Sequence, residues 1–320
     1  MKNPPSKGIR LAMLAALLVI LCLLPLFLGY YLLHVFILIF IYTIASVSLR
    51  TITISGQFPL AHAAFMGIGA YLAGMASRWL NWPAWITIPS ASLATAGIGM
   101  LTGYPFARLR ALYYAMGSLF LGIGVLNVIY AGGKITGGYP GLTGIHPMFL
   151  ASKTPYYYFF LALGLASVIA LYRFEFSRIG INLKAIDQSH MVASSVGINE
   201  VRYRVLVVGV GCFFAGLAGA GYAHYNMVVS TSTFNFLATL WLVMYVLIGG
   251  IKSFAGPIVG TFVLMFVSEL FRGLGMYSPF VPAALLALVV YLLPNGLVSL
   301  PGILWSRLSN REKKGPNHAS

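Results

Sequence analysis

Apolar stretches without a single ionisable group recur along this chain, and several reach the roughly 17 to 25 residues that a helix needs to cross bilayer hydrocarbon. A water-soluble fold would have to cover them with charge. Only 8% of the 320 residues are charged, against about 25% in an ordinary soluble domain, and 59% are apolar. Lipid is therefore the solvent for most of the surface. Because lipid offers no hydrogen bonds, the expected fold is all-α: a polytopic membrane bundle of about 8 to 10 transmembrane helices, in a single domain over 1–320.

Ten candidate spans are read at 11–28, 31–49, 63–80, 84–103, 111–131, 156–172, 205–224, 236–250, 257–272 and 279–298. The eighth and ninth are short and are split by Gly249-Gly250-Ile251-Lys252-Ser253-Phe254-Ala255-Gly256-Pro257, which fits either tilted helices or a broken pair. Lys and Arg concentrate on cytoplasmic segments of membrane proteins. With the N-terminus inside, ten spans leave only Arg78, Lys134, Lys153 and Arg272 of the 20 basic residues on the outer side, so both termini are expected in the cytoplasm. The net charge of +15 follows from this topology; the basic residues are scattered and form no nucleic-acid-binding face. Lys2, Lys7 and Arg10 ahead of Leu11 to Leu28 imitate a secretory signal. That apolar run exceeds the roughly 7 to 15 residues of a signal core, so it is read as a retained first helix.

Two connections are long enough to have work of their own. The outer one, 132–155, is rich in Gly, Pro and Thr; the inner one, 173–204, holds Glu175, Asp187 and Glu200, three of the five acidic residues. Within the inner loop, 183–196 has helical propensity and is expected to form one short helix outside the membrane, ended by Gly197. The polar, basic tail at 306–320 is expected to be disordered.

No catalytic constellation is found. Gly132-Gly133-Lys134 lacks both the spacing and the hydroxyl of a phosphate-binding loop, so ATP cannot be bound by that route and no cofactor is expected. His34, His62, His146, His190, His224 and His318 show no metal-ligand spacing. Cys22 and Cys212 lie inside apolar runs and are assigned to packing.

Small residues recur inside spans: Gly99 and Gly103, Gly256 and Gly260, and the set Gly209, Gly211, Gly216, Gly219 and Gly221. They let helix backbones approach closely, and they could also let helices slide. Glu269 is the one acid inside a predicted span. It is either a functional intramembrane carboxyl or, with Arg272 at i+3, half of an interfacial ion pair. Ser55-Gly56-Gln57-Phe58-Pro59-Leu60-Ala61-His62 interrupts apolar sequence after Arg50. It reads either as a pore-lining break, with Gly56, Gln57, His62 and the later Tyr71 as path candidates, or as a plain cytoplasmic loop.

From about Ala45 to Pro301 the chain resembles the LivM-type permease subunits of branched-chain amino acid ATP-binding cassette (ABC) importers. The resemblance is carried by Gly56-Gln57 with His62-Ala63-Ala64-Phe65-Met66-Gly67-Ile68-Gly69-Ala70-Tyr71, by Arg108-Leu109-Arg110-Ala111-Leu112-Tyr113-Tyr114-Ala115, and by Thr136-Gly137-Gly138 with Gly141-Leu142-Thr143-Gly144-Ile145. Phe176-Ser177-Arg178-Ile179-Gly180 and the set Ala185, Ile186, Asp187, Ala193, Gly197, Ile198 and Asn199 resemble the family's coupling segment, the short helix that docks into an ATPase. Phe214-Ala215-Gly216-Leu217-Ala218-Gly219-Ala220 and Gly249-Gly250 to Gly260 also match. Gln188, Ser189 and His190 stand where the family usually has acids, and Pro59 and Ala61 where it has Ser and Gly.

The resemblance implies a transport subunit of a bacterial or archaeal plasma (inner) membrane, itself not an enzyme. Its implied partners are a second, LivH-like permease, two cytoplasmic ATPase subunits that bind the ATP, and an external binding protein. The implied mechanism is alternating access, and the implied cargo is branched-chain amino acids or related small amino acids and amides. The alternative is a self-sufficient ion-coupled secondary transporter, which would place ionisable groups near the bilayer midplane; none is central here.

Overall fold

The computed structural model describes residues 7–299 except positions 28, 110, 139, 150, 151, 279, 294 and 295; the tail at 306–320 lies outside the described residues. The helices are α1 (Lys7–Phe27), α2 (Tyr30–Thr53), α3 (His62–Leu80), α4 (Ala84–Phe106), α5 (Ala111–Ala131), α6 (Lys153–Glu175), α7 (Arg178–Gln188), α8 (His190–Ser195), α9 (Glu200–Asn226), α10 (Phe236–Gly249), α11 (Gly256–Leu270) and α12 (Phe280–Leu292). All but α7 and α8 overlie the ten expected spans. Six helical units are long and apolar enough to cross a membrane: Tyr30–Thr53, Ala84–Phe106, Leu112–Ala131, Lys153–Glu175, Glu200–Asn226 and Thr231–Gly249.

Helix α9, at 27 residues about 40 Å long, is the axis of the bundle and packs on α2, α3 and α4. Small residues on both sides of these contacts let the helices approach closely. A Cβ on Gly219 would land on the Met66 carbonyl of α3, one on Gly69 would meet the Gly216 backbone, and one on Gly99 would lie 2.5 Å from Cys212 Sγ. Cys212 is buried there, as expected of a packing residue; Cys22 is exposed, which corrects its assignment. Helix α1 is apolar all round, so its sequence names no inward face.

Pro25 interrupts α1 and leaves the Leu21 carbonyl without its helical donor. Tyr157 on α6 donates its hydroxyl to that oxygen at 2.7 Å, and Tyr158 donates to Cys22 O at 3.0 Å. Helix α1 is thus fastened by two phenols.

Helices α10 and α11, with 14 and 15 residues, are about 21–23 Å long and fall short of roughly 30 Å of hydrocarbon. The partly buried chain between α9 and α10 makes up the difference for α10, which with the preceding 3-10 turn forms a unit of 19 residues. Val228–Val229 (β2) pairs antiparallel with Leu142–Thr143 (β1) from the outer loop; Leu142 and Val229 are fully buried, and the Tyr71 hydroxyl, midway along α3, donates to Val229 O at 3.2 Å. Irregular backbone at membrane depth is sustained only where protein satisfies it. A 3-10 turn (Thr231–Phe234) follows, and Asn235 caps α10 by accepting from Ala238 N at 3.0 Å.

The inner ends are tied by a buried charge cluster. The Arg50 guanidinium bonds both Glu175 oxygens, and its Nε donates to Ile251 O at 2.9 Å; Lys184 Nζ reaches Glu175 at 2.9 Å. Both Arg50 and Glu175 are 2% exposed. One cluster therefore joins α2, α6, α7 and the α10–α11 connection.

Removing one member of a buried pair strands the other, so Glu175→Gln should lower stability by about 3–5 kcal/mol, whereas Glu269→Gln in the exposed Arg272 pair should cost less than about 1. Thermal unfolding in detergent checks the contrast. By the same assay Gly219→Ala should destabilise by about 1–3 kcal/mol through overpacking, while Gly97→Ala, where a Cβ meets nothing within 4 Å, should not.

Candidate functional site

The inner loop builds two helices where one was expected at 183–196. Helix α7 starts earlier, at Arg178, capped by Ser177, and ends before Ser189, whose extended backbone (φ −161°, ψ 106°) breaks the run. The Ser189 hydroxyl accepts from Val192 N at 3.4 Å and so starts α8: a serine that serves its neighbours' amides ends one helix and opens the next. Gly197 does close α8 as expected. It takes φ +84° while Gly197 N bonds Ser194 O and Ile198 N bonds Ala193 O, the paired bonds of a left-handed helix cap.

These helices are anchored on one side and bare on the other. Leu183 and Ile186 are buried, Leu183 clustering with Ile54 below α2 and Val207 on α9, and Asn182 donates to the Tyr203 hydroxyl at 2.8 Å. Ala193 is buried too. Facing away from the bundle, Ile181, Met191, Val192 and Val196 are 61%, 72%, 64% and 70% exposed. Large exposed apolar side chains on helices outside the spans make this face the candidate interaction surface.

The structure brings the two groups of sequence candidates together at one point. Gly56, at φ +77°, packs on Asp187 so tightly that a Cβ would lie 2.7 Å from its carboxylate oxygen. Burial pushes the Asp187 carboxyl above the usual carboxylate range, against the opposing pull of Arg204. Ala185 lies two residues before Asp187 on α7, and Gly197 is exposed beyond α8.

The other path candidates are not gathered in one opening. Ser55, Gln57 and Ala61 are buried, so 54–61 is an internal connection and not a plain cytoplasmic loop. Both amide atoms of Gln57 lack a hydrogen-bond partner among the described residues. His62 Nε2 lies 2.9 Å from Ser48 Oγ and 3.1 Å from Ala45 O on α2, with Nδ1 unpartnered. Tyr71 stands apart, midway along α3, with its hydroxyl bonded to Val229 O of β2.

Among the cavities of small-molecule size that open elsewhere, one of about 420 Å³ is lined only by apolar residues of α3 and α5, and two carry polar side chains. One of about 310 Å³ lies among α2, α6 and α9, where His34 Nδ1 meets the Tyr225 hydroxyl at 2.6 Å and Lys153 Nζ sits 4.4 Å from the Tyr30 ring centre. Another of about 380 Å³ lies among α2, α10 and α11 and is lined by Tyr42, Thr233, Asn235, Trp241, Ser268 and Glu269. Glu269 makes the ion pair that was one of its two readings, Oε1 accepting from Arg272 Nη1 at 3.3 Å, and Arg272 also donates to the Tyr31 hydroxyl at 2.6 Å. Sequence reading missed the Arg50–Glu175 cluster. Its one local signal was a rare acid placed at the inner end of a span.

Comparison with known proteins agrees with this architecture. Residues 31–293 match the family model described as branched-chain amino acid transport system / permease component. The chain is 25% identical to the high-affinity branched-chain amino acid transport system permease protein LivM of Salmonella typhimurium and 26% identical to that of Escherichia coli. Each alignment covers 81% of this chain and 68% of the relative. No solved structure matches the chain. With more than half its length under one family model and ten apolar helices in a single bundle, this chain belongs to the permease-component family of branched-chain amino acid transport systems.

Proposed function

We propose that this permease carries branched-chain amino acids or closely related small amino acids and amides across the inner membrane, as one half of an ABC importer's translocation path. A LivH-like permease forms the other half. Two separate ATPase subunits supply the energy, an external binding protein delivers the cargo, and both termini lie in the cytoplasm. The observation that carries this reading is the cytoplasmic module. Helices α7 and α8 turn four exposed apolar side chains outward and are fixed to the inner ends of α2 and α6 through Lys184, Glu175 and Arg50.

Mechanism follows from that attachment. ATP-driven closure of the ATPase pair would displace α7 and α8. Their load would pass through Asp187 to Gly56 and through Glu175 to Arg50, tilting the bundle between outward-open and inward-open states whose different affinities for cargo do the work. Ala185, Ile186, Asp187, Ala193 and Gly197 are assigned to this coupling. Gly56, Gln57, His62 and Tyr71 are assigned to the path; the unpaired Gln57 amide supports this, since a buried amide left without partners in one state is a group waiting for them in another.

Vesicles holding the full assembly should take up radiolabelled leucine only with ATP and binding protein, and vesicles holding this chain alone should not. Gradient-driven uptake by the isolated chain would instead establish a secondary transporter. Val192→Asp, on the bare face of α8, should leave membrane insertion intact and cut uptake by about 30-fold, the scale of losing a central interface contact. Unchanged uptake by this variant would remove α8 from the ATPase contact.

A further inference from the structure

We propose that the cavity of about 380 Å³ between α2, α10 and α11 is a transient binding site for a zwitterionic amino acid with an apolar side chain, with Glu269 facing its ammonium group. The inference rests on the proposed amino-acid cargo and adds where in this chain that cargo is held.

The volume falls within the roughly 300 to 1,000 Å³ of small-molecule sites. Its walls divide by chemistry. Tyr42, Trp241 and Met265 offer an apolar and aromatic side, while Thr233, Asn235, Ser268 and Glu269 offer hydroxyls, an amide and a carboxylate. Ser268 donates to Leu264 O and the Asn235 side chain accepts from Ala238 N, whereas the Glu269 carboxylate has only its link to exposed Arg272 among the described residues.

The two charges of an amino acid find separate counterparts here. Asn235 lines the cavity and caps α10, so the start of that helix lies beside the cavity and the positive end of its dipole favours a carboxylate. Glu269 provides the negative end. Its link to Arg272 runs through one oxygen at 3.3 Å, on a pair that is 69% exposed at the arginine and 27% at the glutamate, so the carboxylate is not committed to a buried partner. A lone anion would be repelled by Glu269, and an uncharged solute would leave both ends unused. A zwitterion uses both, and an aliphatic side chain uses the aromatic wall.

The test uses vesicles holding the complete assembly of this chain, its partner permease, the ATPases and the binding protein, with leucine uptake and binding-protein-stimulated ATP hydrolysis both measured. Glu269→Gln should cut uptake by about tenfold or more, the loss of a charge-assisted hydrogen bond, with stimulated hydrolysis within about twofold of the unmodified assembly. Arg272→Gln breaks the same ion pair outside the cavity lining and should keep most of the uptake. Full uptake by Glu269→Gln, an equal loss in Arg272→Gln, or loss of stimulated hydrolysis together with uptake would each overturn the site while leaving the importer reading intact. An unmodified assembly that hydrolyses ATP in response to binding protein but takes up no leucine would overturn the cargo, and this site with it.

Discussion

Helix α9 can stand at the middle of the bundle only because small residues on it and on α3 and α4 let the three helices approach closely. Lipid tails are as apolar as leucine, so helices in a bilayer gain little from hiding apolar surface from one another. What holds them is close contact, and at Gly219 and Gly216 the approach is backbone to backbone. Other elements then take their positions from α9: Phe160 of α6 fills the space beside Gly221, and Ile52 of α2 the space beside Gly211. A rigid axis of this kind makes it reasonable that movement is confined to elements that touch it less, α10 to α12 and the pair α7 and α8.

The charge cluster at the inner ends has a different character. Burying a guanidinium and a carboxylate costs solvation that their mutual attraction only partly returns, so such a pair is weak evidence for stability as such. Its placement is more telling. Arg50 holds Glu175 with one part of its guanidinium and the Ile251 carbonyl with another, while Phe254 lies 5.7 Å from its centre. A displacement of α7 felt at Glu175 is therefore felt at once by α2 and by the turn that joins the two short helices. The pair α7 and α8 and the cluster are thus one connected unit.

Much of the fold was legible in the sequence because apolar runs of bilayer length are punctuated by charge, glycine and proline, and those signals are local. The ten helices, the Gly197 cap and the Glu269–Arg272 pair all depend on residues within a few positions of one another. What was not legible depends on distant partners. Ser189 reads as an ordinary helical serine until its hydroxyl is seen turned to Val192. The burial of Gln57 and His62 is decided by α2, not by their own neighbours, and no pattern in the chain announces that Arg50 will meet Glu175, 125 positions later. Cys22 was placed inside because it lies in an apolar run, yet an evenly apolar helix carries no instruction about which side faces its neighbours. The candidate site was legible as two separate segments, and their meeting at Gly56 and Asp187 was not.

The proline in α1 bears on how such a chain is made. Ribosomes add residues at about 5 to 20 per second, so Tyr157 is synthesised on the order of ten seconds after Pro25 has left the Leu21 carbonyl without a donor. Through that interval the first helix is in the bilayer with an unanswered oxygen, worth several kcal/mol if it lies in hydrocarbon. The membrane entry of α6 ends the wait. The order of synthesis thus fastens the first helix only once α6 has been made, to a surface that did not exist when α1 was synthesised.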